Sequence, residues 1–147
     1  MIYTKKDIEQ LDRVTRLKII NAVTGIKPAN LIGSISDSKI TNLAIFSSVV
    51  HLGSNPALLG FISRPQTPEV GHTLRNIKEN GSYTINHIHP SFVKNAHYTS
   101  AKFTAEESEF ERCGLSQEYQ RDILAPFVKQ STFKMGIQFI ETLEIKH

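Results

Sequence analysis

Hydroxyl, amide and guanidinium groups are concentrated between residues 40 and 77. An apolar segment carries Asn42, Ser47 and Ser48, and residues 63–67, which include Arg64, follow it shortly before a helical pattern. Arginine binds phosphate oxygens through its planar fork, and the N-terminus of a helix presents free backbone N–H groups to an anion. Small polar groups on an apolar strand leave room for a flat ring and hydrogen-bond its edge. The pattern therefore suits a phosphorylated ligand with a polar tail, and flavin mononucleotide (FMN) is such a ligand.

Each of these two motifs also has a purely structural interpretation. The serines could satisfy nearby backbone groups at a bulge. Thr67 could cap the following helix, with Pro68 at its first position. The two interpretations of the Arg64 segment are compatible, because a capping threonine can still face a ligand.

Histidine and cysteine offer weaker signals. His87 and His89 alternate on one face of a predicted strand, but no cysteine or carboxylate completes a ligand set and the spacing is no zinc signature. We therefore predict no metal site and an exposed or hydrogen-bonded pair. Cys113 has no base beside it in the sequence, so we predict a buried apolar residue rather than a nucleophile.

Hydrophobic periodicity predicts about six strands and several short helices. Gly81 stands where a C-terminal cap belongs, and residues 90–130 are predicted to be irregular with short helices. The predicted elements are a helix over residues 5–12, a β-prone segment over 19–26, strands over 31–36 and 40–51 around a polar turn at 37–39, a strand buried on both faces over 57–63, a helix carrying Val70, Leu74 and Ile77, a strand over 83–88 and a long strand over 133–145. Strands this close together exclude successive βαβ units, so we predict a mainly β fold, an antiparallel barrel with helical insertions.

Composition narrows the class of protein. The chain has 147 residues, a net charge of +3 and one cysteine. Its basic residues are scattered without an aromatic stripe, so no nucleic-acid partner is predicted. It has neither the ~20-residue apolar run of a membrane helix nor a secretory signal. We expect a single domain over residues 1–147 with a cytoplasmic location and no membrane partner.

Several segments together resemble the flavin reductase-like family of FMN-binding split-barrel proteins. The similarity runs from about residue 21 to the end of the chain and is carried by the order and spacing of residues 30–34, 42–48, 55–61, 72–77, 84–86, 99–103 and 125–129. The resemblance implies a split barrel of the Greek-key type that forms a homodimer, with FMN near the subunit interface.

The resemblance also implies a set of cofactor-binding residues. These are Asn42, Phe46, Ser47 and Ser48 beside the isoalloxazine ring and ribityl chain, Arg64, Thr67, His72 and Thr73 near the phosphate, and His97 covering the ring or reaching it from the partner subunit. FMN is the expected cofactor, and FAD is an alternative to it. No residue is predicted to be catalytic, because the flavin itself carries the redox chemistry.

The activity implied by the resemblance is hydride transfer from NAD(P)H to the bound flavin. An alternative is a flavin carrier or sensor without turnover, and a third is a split barrel that has lost its cofactor, against which Arg64 and Thr67 argue. Family members usually continue beyond the strand that approaches His147. We therefore also predict a C-terminally shortened domain that lacks some barrel strands.

Overall fold

The computed structural model describes residues 2–65, 67 and 71–145. Antiparallel strands and short helices alternate along them, and a 3-10 helix at Pro90–Phe92 precedes α4. The helices are α1 (Lys5–Gln10), α2 (Arg13–Ala22), α3 (His72–Asn80), α4 (Val93–Tyr98) and α5 (Glu109–Arg112). The strands are β1 (Asn30–Ile35), β2 (Thr41–Phe46), β3 (Val50–Ser54), β4 (Ala57–Gly60), β5 (Ser82–His87), β6 (Gln117–Gln120), β7 (Ile123–Val128) and β8 (Lys134–Gln138).

The central sheet has the strand order β2-β1-β5-β8, and each neighbouring pair is antiparallel. Strands β1 and β2 form a hairpin in which Asn30 pairs with Phe46 and Ile35 with Thr41. The predicted polar turn joins them, and Lys39 adopts a positive φ of 66° there. Strands β3 and β4 form one separate hairpin, and β6 and β7 form another.

Alternating side chains of the sheet enter two apolar clusters. Successive residues of a strand point to opposite faces of the sheet. Leu31 and Leu43 therefore belong to one cluster, and Ile32 belongs to the other. The first cluster contains Leu31, Leu43, Phe92, Ala96, Phe110, Cys113, Leu115 and Val128, and the second contains Ile32, Ile77, Tyr83 and Ile85. Each fully buried large side chain contributes about 1.5–3 kcal/mol to folding.

Strand β7 crosses close to β1 and β5. The Thr84 hydroxyl donates to the carbonyl oxygen of Pro126 at 2.7 Å, and the backbone N–H of Val128 donates to Asn86 Oδ1 at 2.9 Å. A Cβ atom on Gly33 would collide with that same Pro126 carbonyl and with the Thr84 hydroxyl. Glycine is therefore required at position 33, where β7 packs closely against β1 of the central sheet.

The structure confirms several local predictions. The helix predicted over residues 5–12 is present as α1, and a reciprocal capping box of Thr4 and Asp7 starts it. Helix α3 ends at Asn80, and Gly81 caps it with a left-handed φ of 69°. The β1–β2 hairpin and β5 also lie close to where they were predicted.

The β-prone segment 19–26 was interpreted wrongly, because most of it belongs to α2 or the turn after it. Asp12 Oδ1 accepts hydrogen bonds from the backbone N–H groups of Val14 and Thr15, and this cap starts the helix. Capping outweighs the weak helix propensity of the isoleucines that follow.

The predicted strand 40–51 is interrupted, since β2 ends at Phe46 and β3 begins at Val50. The strand predicted over 57–63 ends at Gly60, and its residues are exposed or half-buried rather than buried on both faces. Among the described strands it pairs only with β3, and Leu59 packs against the second apolar cluster. Thr67 does not cap α3, which begins at His72 with Gly71 as its N-cap. Pro68 and Val70 lie outside the described residues.

Strands β6 and β7 were missed, and the last strand was predicted too long. Residues 90–130 were predicted to be irregular with short helices, but β6 and β7 form a hairpin there. Proline is tolerated in β7, because this strand pairs only with β6 among the described strands. Strand β8 covers only Lys134–Gln138 of the predicted segment 133–145. The apolar side chains of Ile140, Leu143 and Ile145 beyond it are exposed. Eight strands are therefore present in the described residues rather than about six.

Candidate functional site

The Ser48 hydroxyl brings the two polar motifs of the sequence together. Its Oγ donates to the carbonyl oxygen of Ile62 and accepts from the backbone N–H of Ile62, both at 3.1 Å. Ser47 is the exposed neighbour of Ser48, and exposed Arg64 lies two residues after Ile62. The hydroxyl strand and the arginine segment therefore meet, and the serine that joins them is engaged with backbone groups.

Aromatic rings lie beneath this junction. The rings of Phe46 and Phe61 pack edge to face with centroids 5.0 Å apart, and Phe61 packs against Tyr83 at 5.6 Å. Phe46 is half-buried against the second apolar cluster, together with Val49. Ser47 follows Phe46 directly in the chain, and its side chain is exposed whereas the Phe46 ring packs inward.

Asn42 and Thr73 are brought together in a buried network. Asn42 Nδ2 donates to the Thr73 hydroxyl at 3.0 Å and to the Ser34 hydroxyl at 3.1 Å. Asn76 Nδ2 also donates to Ser34, at 3.3 Å. The network joins the β1–β2 hairpin to α3. Asn42 and Thr73, which were predicted as site residues, therefore have a structural role in this contact.

His72 and Thr67 lie around the start of α3. The Arg75 guanidinium donates to the carbonyl oxygen of Thr67 at 3.3 Å. This bond places Thr67 beside α3. The pKa of the half-buried His72 imidazole is lowered by burial and by the Arg75 charge, while Glu106 opposes the shift. His72 is therefore mainly neutral at pH 7 and acts as a hydrogen-bonding group rather than as a cation.

His97 lies elsewhere on the subunit. It is exposed on α4 and lines a shallow depression with Val93, Lys94 and Tyr98. The junction at Ser48 and Ile62 is built from the loop between β2 and β3 and the segment after β4. The assignment of His97 to a cofactor site through the partner subunit stays a prediction.

The remaining histidines and the cysteine occupy ordinary positions. The ring of exposed His87 packs against Phe133 with centroids 4.7 Å apart, and His89 Nδ1 accepts from the backbone N–H of Ser91 at 3.2 Å. Over residues 2–65, 67 and 71–145, no three histidine, cysteine or carboxylate side chains are grouped to hold a metal. Cys113 is buried as predicted, and burial raises the pKa of its thiol.

Glu109 is a buried carboxyl that the sequence did not reveal. Only 6% of it is exposed, and its Oε2 accepts from the backbone N–H of Leu43 at 3.0 Å. Glu109 thereby covers the outer edge of β2. The hydroxyl groups of Thr41 and Ser108 form a hydrogen bond of 2.6 Å on the same edge. Burial raises the pKa of Glu109 to about 7. Glu109 and Leu43 are 66 positions apart in the sequence, so no local pattern revealed this contact.

The fold is that of a flavin reductase-like split barrel. Residues 26–147 match the family described as the flavin reductase like domain, and the chain belongs to that family. Within the described residues, no helix is both long and apolar enough to cross a membrane.

Solved structures show the same fold. A proposed flavin reductase with a split barrel domain from Shewanella frigidimarina is 46% identical with a TM-score of 0.93, covering 99% of this chain and 71% of that one. Nitrilotriacetate monooxygenase component B from Bacillus cereus is 22% identical with a TM-score of 0.81, covering 92% of this chain and 66% of the other. This second likeness concerns the fold alone.

Two curated relatives are uncharacterised proteins. One, from Aquifex aeolicus, is 25% identical over 126 residues, and the other, YwrF from Bacillus subtilis, is 23% identical over 123 residues. Each alignment covers 84% of this chain, and the chain spans 64% and 60% of the lengths of these relatives.

Proposed function

We propose that this protein binds FMN and acts as a flavin reductase-type oxidoreductase, transferring hydride from NAD(P)H to the bound flavin. Membership of the flavin reductase-like family over residues 26–147 is the observation that carries this proposal. The bound flavin would supply the redox chemistry, and the residues of this chain would bind it, orient it and leave one ring face open.

The residues around the Ser48–Ile62 junction fit the parts of FMN. Exposed Arg64 offers a guanidinium to the phosphate, and Thr67 stands beside α3 with its side chain also exposed. Exposed Ser47 offers a hydroxyl to the ribityl chain or ring edge, and Phe46 offers an apolar edge. Asn42 and Thr73 bond each other and fix the start of α3 to the β1–β2 hairpin.

The proposal extends to the cofactor choice, the assembly and the location. FMN is favoured, and FAD shares the same riboflavin phosphate portion. We further propose a homodimer in which His97 of one subunit approaches the flavin of the other. A cytoplasmic location would supply the NAD(P)H that such a reaction consumes.

A purified sample tests the proposal directly. After incubation with excess FMN and desalting, we expect a yellow protein with flavin absorbance. Under nitrogen, addition of NADH or NADPH should bleach that absorbance faster than it bleaches an equal concentration of free FMN. Colour without bleaching would support a flavin carrier instead, and a colourless protein would contradict flavin binding altogether.

A further inference from the structure

A half-open cavity of about 550 Å³ lies between the β1–β2 turn, α3 and the loop before α5. Its lining includes the carboxylates of Asp37, Glu79, Glu106 and Glu107, contributed by three separate parts of the chain. The volume falls within the usual range for sites that hold small molecules. The cavity is therefore large enough for an organic ligand of several heavy atoms.

The lining is negative although the whole chain carries a net charge of +3. Arg75 is the cationic side chain of the lining, since His72 has a lowered pKa and is mainly neutral at pH 7. Glu107 is partly compensated by Arg112 outside the lining, with 3.4 Å between Nε and Oε1. Carboxylates still outnumber cations, so an anionic ligand would be repelled and a cation attracted.

Two buried amides supply hydrogen-bond acceptors to the same cavity. Asn42 and Asn76 line it and are only 6% and 5% exposed. Their Nδ2 atoms donate inward, to Ser34 and Thr73. Among the described residues, no donor bonds either Oδ1, and no buried side-chain oxygen lacks a partner. The two amide oxygens are therefore open to the cavity and ready to accept hydrogen bonds.

We propose that this cavity binds a small organic cation with several N–H donors, an alkylammonium or alkylguanidinium compound. Its charge would face the carboxylates of Asp37 and Glu106, and its N–H groups would reach the open amide oxygens of Asn42 and Asn76. A bare metal ion is disfavoured, because no metal-binding group of three ligands occurs among the residues that the structure describes. This site does not depend on the proposed flavin chemistry.

Calorimetric titration of the whole protein with agmatine, which carries both an ammonium and a guanidinium, tests the proposal. We expect saturable binding at low ionic strength that weakens as salt is added. Tetramethylammonium has the same kind of charge without N–H donors, and it should bind at least tenfold more weakly. Inorganic phosphate should not bind in the cavity.

Variants locate the binding. The double variant Asp37→Asn/Glu106→Gln removes two exposed carboxylates and should weaken agmatine binding about fivefold, since each exposed ion pair is worth about 0.5 kcal/mol. Glu111→Gln is the matched control, an exposed carboxylate outside the lining, and should leave the affinity unchanged. No binding of agmatine, equal binding of tetramethylammonium, or equal effects of the two variants would each overturn the proposal. The titration uses FMN-free protein, because Asn42 and His72 line the cavity and are also predicted flavin-binding residues, and this separates the test from that of the flavin site.

Discussion

The Ser48 hydroxyl is bonded to both backbone groups of Ile62, donating to its carbonyl oxygen and accepting from its N–H at 3.1 Å. These two bonds join the loop between β2 and β3 to the segment that carries Arg64. The adjacent hydroxyl, that of Ser47, is exposed. Neighbouring serines thus differ in role, one fixing the segment and one facing outward.

Substitution separates these two roles. Ser48→Ala removes both bonds to Ile62 and should lower the free energy of unfolding by about 1–2 kcal/mol. Ser47→Ala should leave stability within about 0.5 kcal/mol and weaken FMN binding. Urea unfolding and FMN titration of both variants measure these effects. Equal losses of stability in the two variants would show that the Ser48–Ile62 bonds do not hold the segment.

Arg64 is the proposed phosphate ligand. Arg64→Ala should weaken FMN binding by about 1.5–3 kcal/mol, the worth of a hydrogen bond to a charged group, while riboflavin affinity stays nearly constant. Fluorescence titration with the two flavins provides the comparison. Arg121→Ala, at an exposed arginine between β6 and β7, serves as the matched control. An equal loss for FMN and riboflavin would remove Arg64 from the phosphate site.

Local signals in the sequence predicted local structure well. The polar turn between β1 and β2, the capping box of Thr4 and Asp7, and the end of α3 at Gly81 all depend on residues a few positions apart. Hydrogen bonds within such short segments are encoded in residue types and spacing. These elements could therefore be assigned without tertiary information.

Contacts between distant residues could not be predicted in the same way. Asn42 and Thr73 are 31 residues apart, and the sequence shows both as polar groups without showing that they bond each other. Residues 90–130 were predicted to be irregular, and only the pairing of β7 with β6 in the fold shows that residues 123–128 form a strand. The candidate site was predicted as a list of residue types, whereas its division into exposed and buried members depends on the fold.

The Asn42–Thr73 bond provides a test of the buried network. Thr73→Val preserves side-chain shape but leaves Asn42 without one of its acceptors, so unfolding free energy should fall by about 1–3 kcal/mol. Thr132→Val, at an exposed threonine, is the matched control and should change stability by less than about 0.5 kcal/mol. Urea unfolding of the two variants measures both values, and similar values would argue that the network adds no stability.

Flavin binding and dimerisation should be linked if FMN lies at a subunit interface. A ligand that binds only the dimer shifts the monomer–dimer equilibrium by mass action, by about 2.7 kcal/mol at a concentration 100 times its dissociation constant. Sedimentation velocity across a dilution series, with and without FMN, measures this shift. The Arg64→Ala variant should show a smaller shift at equal FMN. A monomer that binds FMN tightly would contradict the interface location.

Glu109 should make stability depend on pH in an unusual direction. Burial raises its pKa from the usual 4.5 to about 7, so the folded protein holds this proton more tightly than the unfolded chain. The resulting stabilisation is complete below pH 4.5 and is lost as the pH rises through about 7. Because one pKa unit corresponds to about 1.4 kcal/mol, the full effect is about 3 kcal/mol.

Glu109→Gln isolates this contribution, because the amide oxygen can still accept from the Leu43 N–H but cannot ionise. Relative to wild type, the variant should gain about 3 kcal/mol of stability between pH 4 and pH 8, measured by urea unfolding at each pH. Glu111→Gln, on the exposed side of the same helix, should follow the wild-type profile. Parallel profiles for wild type and Glu109→Gln would mean that the buried carboxyl ionises as easily in the folded protein as in the unfolded chain.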